Sequence, residues 1–492
     1  MRVLPFVGLL LLSSCTDFDA LTRGHSDLEV DAAVVTDLAG NDLASGGDAG
    51  VIDGGAACSD HVLSIGETDI DCGGQCAPCD VAATCLVDID CQTGACVQAH
   101  CEVVSGPPSW VAVGTAPTDP GAAPIGRADV AVGRGPDGVL YVMGGRDRTG
   151  ASLDVVEKLD VTAGWSASQS LKNKRAAAAT VSTSTFLAVL YGMDTSGPQT
   201  TTEVITTSSS FTTQTGLAAT LVAPGAAVGP DGRVYVFGGT DATGMPQALN
   251  QSFAAGDTAL NPAAPLTNAR AALASATGND GRIYAIGGVA GGVTLGSVEA
   301  YTVAGSKWTV AASLPAPRGN APGVLGPDGR IYVPGGANLA SGQIYSSTVA
   351  YRPASATQPD AWVNAAPLAG PRWRHGAALG PDGRIYVIAG SALGELLRTV
   401  EAYGPVIAIS ADSQPIGSAF WVAGSNFAAS ATVQITIGSP TGALAGTGTT
   451  DATGVLTSTA KVPAGTPTGA TRLYVVDSRS RYPVSTAITV TP

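Results

Sequence analysis

The stretch Gly326–Val333, "GPDGRIYV", returns letter for letter at Gly380–Val387. Near-copies stand at Gly135–Val142, Gly229–Val236 and Gly278–Ala285. Its first half is turn chemistry: proline fixes φ, aspartate tolerates the left-handed region and bonds its own backbone, and glycine accepts positive φ. Its second half is β-branched and aromatic, the composition of a buried strand. The aspartates at 137, 231, 280, 328 and 382 recur about every 50 residues, with one gap of twice that length. Inside the gap, Thr183-Ser-Thr-Phe186 leads into Leu187-Ala-Val-Leu-Tyr-Gly192, a strand pattern without the Pro-Asp-Gly turn. Six repeats follow, one of them degenerate.

Each repeat carries the same further parts. A small-residue pair ends the strand: Gly144-Gly145, Gly238-Gly239, Gly287-Gly288, Gly335-Gly336 or Ala389-Gly390. A third strand follows, as in Val298-Glu-Ala-Tyr301, and then a fourth led by an aromatic residue, as in Trp308 or Trp362. Paired glycines, a tyrosine and a tryptophan at these intervals resemble the kelch family across about Trp110–Pro405. That resemblance implies an all-β, six-bladed kelch-type β-propeller over 108–405. The last repeat stops at Tyr403-Gly404-Pro405, before any fourth strand, while a spare one, Trp110-Val-Ala-Val-Gly-Thr115, precedes the first. The expectation is that this N-terminal strand completes the last blade and closes the ring, leaving only short edges exposed.

Arginine opens five repeats, at Arg127, Arg175, Arg270, Arg318 and Arg372, a position that kelch domains often turn toward the channel. A ring of guanidinium groups suits a carboxylate, a sulfate or an acidic peptide. Glutamate holds one third-strand position in four of these repeats, at Glu157, Glu203, Glu299 and Glu401. The third repeat lacks both residues, with Leu221 and Gln251 instead. That co-occurrence favours internal Arg–Glu pairs. Arg374 and His375, beside Arg372, form the one local excess of polar groups and the best candidate for a binding mouth.

The flanking segments read differently. Residues 1–15 join a basic start, a short apolar run and Leu12-Ser-Ser-Cys15, which resembles a bacterial lipoprotein signal with Cys15 lipidated. Eight of the nine cysteines stand in 58–101, so Cys15 is the odd one out. Thr16 follows the cysteine, so the inner-membrane retention signal of that family is absent. The expected address is the outer membrane or cell surface of a Gram-negative bacterium. Residues 16–57 read as a disordered acidic tether, which as a coil would span roughly 35 Å. The block 58–101 is too short for an apolar core and is expected to rely on disulfides among Cys58, Cys72, Cys76, Cys79, Cys85, Cys91, Cys96 and Cys101, whose pairing stays open. It looks like short cysteine-rich modules of bacterial surface proteins. Zinc at Cys76-Ala-Pro-Cys79 and calcium at the repeated Asp-Ile-Asp-Cys are the weaker alternatives. Residues 406–492 alternate Thr/Val strands with Gly/Pro turns. Trp421–Phe427 resembles bacterial immunoglobulin-like domains of the IPT/TIG type, which implies a β-sandwich of about seven strands.

A net charge of −14 with no basic cluster excludes nucleic acid as a partner, and no apolar run of 18 residues follows the N-terminal segment. The membrane contact expected is the lipid anchor alone, and the propeller is expected to be monomeric and without cofactor. Sequence alone favours a non-catalytic binding, adhesion or scaffold module for an extracellular protein or glycan. The alternative is a carbohydrate-active enzyme resembling a sugar mutarotase, but no extra pair of facing carboxylates stands out. A copper radical oxidase shares the propeller-plus-sandwich plan. That family needs two histidines and a cysteine cross-linked to tyrosine, and 108–492 holds only His375 and no cysteine.

Overall fold

The structure is a computed structural model. It describes residues 96–97, 100–101, 109–115 and 126–492, less 162–163, 207–209, 215–219, 255, 355–358, 429, 453 and 480–481. The expected signal with Cys15, the tether, and Cys58, Cys72, Cys76, Cys79, Cys85 and Cys91 lie outside the described residues. Of the cysteine block, the backbone of Cys96–Val97 pairs antiparallel with that of His100–Cys101, setting Cys96 opposite Cys101. Among the described residues there is no α-helix, and none long and apolar enough to cross a membrane.

Among the described residues, six antiparallel four-stranded sheets follow one another. The fourth is typical: Ala274–Thr277, Ile283–Ile286, Val298–Thr302 and Lys307–Ala311, ordered from first strand to last as in the chain. The first strand of each sheet lies beside the first strand of the next, and that of the sixth sheet returns to the first. The sheets therefore form a closed ring, a fold of β-propeller type. The sixth sheet takes three strands from Gly376–Leu379, Ile385–Ile388 and Thr399–Tyr403. Its fourth is Trp110–Thr115, from the other end of the ring.

The repeated phrase accounts for this arrangement. Its strand is the second of each sheet, and all four residues of that strand are buried in every sheet. A strand covered on both faces needs a continuous apolar run, not an alternation. The turn is self-contained. Asp280 Oδ1 accepts the Arg282 backbone N–H at 3.2 Å, and Oδ2 accepts the Tyr284 hydroxyl at 2.7 Å. The same Tyr–Asp bond forms at Tyr141, Tyr235, Tyr332 and Tyr386. Burial and the neighbouring carboxylate push these phenols up, so they stay protonated donors. In the second sheet Ala188 takes the tyrosine's place, and Thr183 Oγ1 accepts the Thr185 and Phe186 N–H groups instead. Aspartate and tyrosine are lost together because each serves the other.

The paired glycines answer a close approach. Gly238 has φ +65°, and a Cβ there would stand 2.5 Å from the Arg270 carbonyl of the following sheet. Gly239 N–H donates to that carbonyl at 2.8 Å, and equivalent bonds run from sheet to sheet until Gly390 reaches Arg127 of the first.

Residues after Pro405 form a three-stranded sheet (Val406–Ile409, Ala419–Ser425, Leu456–Lys461) and a five-stranded one (Ser413–Pro415, Val484–Thr491, Gly469–Asp477, Thr432–Ile437, Ala443–Thr449). Phe420 and Val422 of the former and Ile435, Val475 and Ile488 of the latter share one core, and that core also takes Tyr332, Ile385 and Tyr403 from the ring.

Candidate functional site

The five repeat-opening arginines are buried inside the sheets. Arg270 shows how. Its Nη1 donates to the Gly287 and Ser297 carbonyls, and its Nη2 to Ser297 Oγ and Glu299 Oε1, the last at 2.6 Å. Glu299 in turn accepts the backbone N–H groups of Thr267 and Asn268. Arg175–Glu203 repeats this at 2.6 Å, and Arg127–Glu157 and Arg372–Glu401 pair likewise. Burial pulls Arg175, Arg270 and Arg372 down from the ordinary range, and their glutamates oppose it. A guanidinium so enclosed has no free face for a ligand, so the structure places these groups in the frame of the ring.

Arg318 departs from the pattern. Val349 stands where four of the other sheets have glutamate, and among the described residues no carboxylate reaches Arg318. Its guanidinium instead lies 4.6 Å over the Tyr345 ring and donates to the Gly335 and Ser347 carbonyls. Burial brings its pKa down to about 10. Pro315 sits three residues before it, where Thr267 supplies an N–H to Glu299. With that donor gone, a buried carboxylate would lose one of its bonds. A cation over an aromatic face, worth about 0.5–2 kcal/mol, fills the place.

Two residues after each arginine position comes a second ring, at the mouth of the channel. Asp129, Ala177, Ala223, Ala272, Asn320 and Arg374 all have φ between +50° and +55°. The N–H of each donates to the carbonyl of its counterpart in the preceding sheet, at 2.7–2.9 Å, and Asp129 closes the circle onto Arg374. A left-handed conformation costs an L-residue about 1–2 kcal/mol. Here the closed circle of hydrogen bonds imposes it six times. These residues and the start of each first strand line a cavity of about 170 Å³.

The six positions divide into two arcs. Sheets two, three and four offer alanine, and sheets five, six and one offer Asn320, Arg374 and Asp129. The Arg374 guanidinium lies 4.2 Å over the Trp373 ring, with Nε 3.7 Å from Asp129 Oδ1. Arg146 reaches Asp129 Oδ2 at 3.3 Å from the other side. Among the described residues nothing accepts a hydrogen bond from Arg374 Nη1 or Nη2, and the Asn320 amide is equally uncommitted. A flat cation, stacked and steered from one edge, thus presents its two terminal nitrogens at the mouth, with a neutral amide beside it. That donor set suits a planar anion, above all a carboxylate.

His375 lines the same cavity but its side chain is buried. It occupies the place of Leu273 in the fourth sheet and packs between sheets. Its Cβ lies against Gly390, and its Cε1 2.9 Å from where a Cβ on Gly335 would stand. Burial, and then the Arg372 charge, push it down to about 3. The Pro334 carbonyl pulls weakly the other way without reaching hydrogen-bond geometry. His375 is a neutral packing group. Of the sequence candidates Arg374 and His375 both line the cavity, but only Arg374 presents uncommitted polar atoms there; Asp129 and Asn320 line it too, and Arg146 supports Asp129. Among the described residues no three His, Cys, Asp or Glu side chains gather to hold a metal.

Comparison with known proteins adds a fold-level finding. The Kelch motif matches residues 270–315. No curated protein matches the chain. Among solved structures, the chain is similar to a novel fungal alcohol oxidase with catalytic diversity among the AA5 family, in complex with copper. The two are 17% identical, over 74% of this chain and 85% of that one, with a TM-score of 0.44. A likeness that low carries nothing about activity. The Kelch motif and the all-β ring agree on a propeller-type module, a fold suited to binding or scaffolding.

Proposed function

We propose that this chain is a lipid-anchored bacterial surface protein whose six-bladed propeller, over 108–405, binds an anionic group of an extracellular protein or glycan at its channel mouth. Residues 406–492 are read as an immunoglobulin-like β-sandwich, 58–101 as a disulfide-rich module and Cys15 as the anchor on the outer membrane or cell surface. The odd cysteine after a short apolar run supports the anchor. The observation that carries the binding reading is the asymmetry of the mouth. Six positions share one backbone, yet the polar side chains, with donors on Asn320 and Arg374, gather on one contiguous arc.

The ring does not require those side chains, since alanine serves in the other half. A carboxylate reaching Arg374 would meet two parallel N–H donors, with Asn320 beside it and Asp129 fixing the guanidinium edge. Acidic glycans and acidic peptides share that group. An array of both, probed with the purified protein and with Arg374→Ala, tests the reading. Acidic members should bind the parent protein and lose about tenfold or more with the variant, as expected for one charge-assisted pair. Equal binding by both proteins, or binding confined to neutral members, would sink it.

A further inference from the structure

The ring is closed by one seam. Trp110–Thr115 is the outermost strand of the sixth sheet and, among the described residues, pairs only with Thr399–Tyr403. The register runs from Trp110↔Tyr403 to Thr115↔Thr399, with a bulge between Ala112 and Gly114. Elsewhere in the ring the fourth strand is joined to its sheet by continuous chain. Here the two strands are almost 300 residues apart in sequence, so nothing covalent nearby keeps the seam shut.

The C-terminal sheets sit on the open end of that seam. The last registered pair is Trp110↔Tyr403, and the next backbone groups outward belong to Ser109 and Gly404. Asn426 bonds both. Its Oδ1 accepts the Ser109 N–H at 3.1 Å and the Ser109 hydroxyl at 2.6 Å. Its Nδ2 donates to the Ser109 carbonyl at 2.9 Å and the Gly404 carbonyl at 3.0 Å. The side-chain amide thus adds a rung where the ladder ends. Asn426 itself has φ +64°, a conformation asparagine tolerates better than most residues.

Packing strengthens the same place. Tyr482, 1% exposed, meets Tyr403 edge-on at 5.6 Å and Tyr332 at 6.4 Å. Gly404, with φ +124°, leaves the room its ring needs. Ser485 N–H donates to the Asp382 carbonyl in the turn of the sixth sheet. On the ring's side, the Trp110 indole donates to the Ala366 carbonyl at 2.9 Å and lies 5.3 Å from Tyr403.

We infer that the C-terminal sheets fasten the ring, with Asn426 as the rung that holds the closing strand to Tyr403–Gly404. Any pull on the chain before Ser109 loads this strand first, and the fastener grips the chain at Ser109, just before the strand begins. This function is independent of what binds at the mouth.

Hydrogen exchange of the whole protein tests it with two variants. Asn426→Gly keeps the left-handed backbone without strain and removes only the side-chain bonds. Asn426→Ala removes the bonds and adds strain. In both, amides of Trp110–Ala112 and Val400–Tyr403 should exchange about tenfold faster, as for the loss of several hydrogen bonds, while Ile283–Ile286 in the fourth sheet stays unchanged. Unchanged seam amides in Asn426→Gly overturn the inference. So does acceleration confined to the C-terminal sheets, which would mark Asn426 as serving its own loop.

Discussion

The two halves of the mouth share a backbone and differ in everything else. Ala177, Ala223 and Ala272 face Asn320, Arg374 and Asp129 across the same circle of hydrogen bonds. The circle sets the conformation, so side-chain identity is left open there. One column inward the opposite holds: the buried arginine needs its glutamate, and where glutamate is missing an aromatic face replaces it. Fold demands residue types in the frame and leaves them free at the mouth. Departures from alanine at the mouth are therefore where function is to be sought.

The contrast can be broken at several strengths. Arg270→Met should cost the most, about 3–5 kcal/mol, because it strands Glu299 in the interior. Urea unfolding would measure it, and Arg374→Met in the same assay should cost under about 1 kcal/mol, since its ion pair is long and partly exposed.

Acid should come next. His375 is held neutral, with a folded pKa of about 3 against 6.5 unfolded. The unfolded chain binds more protons between those values, so stability is complete above about pH 6.5 and falls as pH drops toward 3. The loss is on the order of a few kcal/mol. His375→Leu, which copies the fourth sheet, should flatten that slope in unfolding measured from pH 7 to 4. An unchanged slope would mean that the imidazole is not the titrating group.

Tyr284→Phe should cost about 1 kcal/mol by leaving the Asp280 carboxylate one donor short. The second sheet, which lacks both residues, should be indifferent to Ser184→Asp, at the aspartate's place, by the same unfolding assay. Smallest of all, Ala272→Gly should change stability by no more than about 1 kcal/mol, toward gain, since glycine relieves the left-handed strain and loses some of that to chain entropy.

Much of this frame is legible in the letters. The turn phrase, the glycine pair and the spare strand at Trp110 each imply a local structure, and consistent repetition implies a ring. The Arg–Glu co-occurrence is legible too, because a missing partner leaves a visible gap in the third repeat. The mouth is harder. Arg374 draws notice as an excess charge, but Asp129 and Asn320 look like ordinary turn residues. Only the column two places after each arginine, reading Asp, Ala, Ala, Ala, Asn and Arg, separates them. His375 misleads because a histidine beside two arginines suggests a site, whereas the pleat turns it between sheets. Asn426 belongs to the Trp421–Phe427 stretch that suggests a sandwich, but nothing in the letters ties it to the seam, because Ser109 lies 317 residues away.

The central claim is that the polar arc, and not the ring as a whole, receives the ligand. Titrating the isotopically labelled protein with acetate, glucuronate and a glutamate-rich peptide would test it most directly, followed on the backbone amides of all six mouth residues. Shifts confined to Asn320, Arg374 and Asp129, and absent in Arg374→Ala, are the predicted result. Equal shifts at Ala177, Ala223 and Ala272, or shifts that persist in Arg374→Ala, would contradict it.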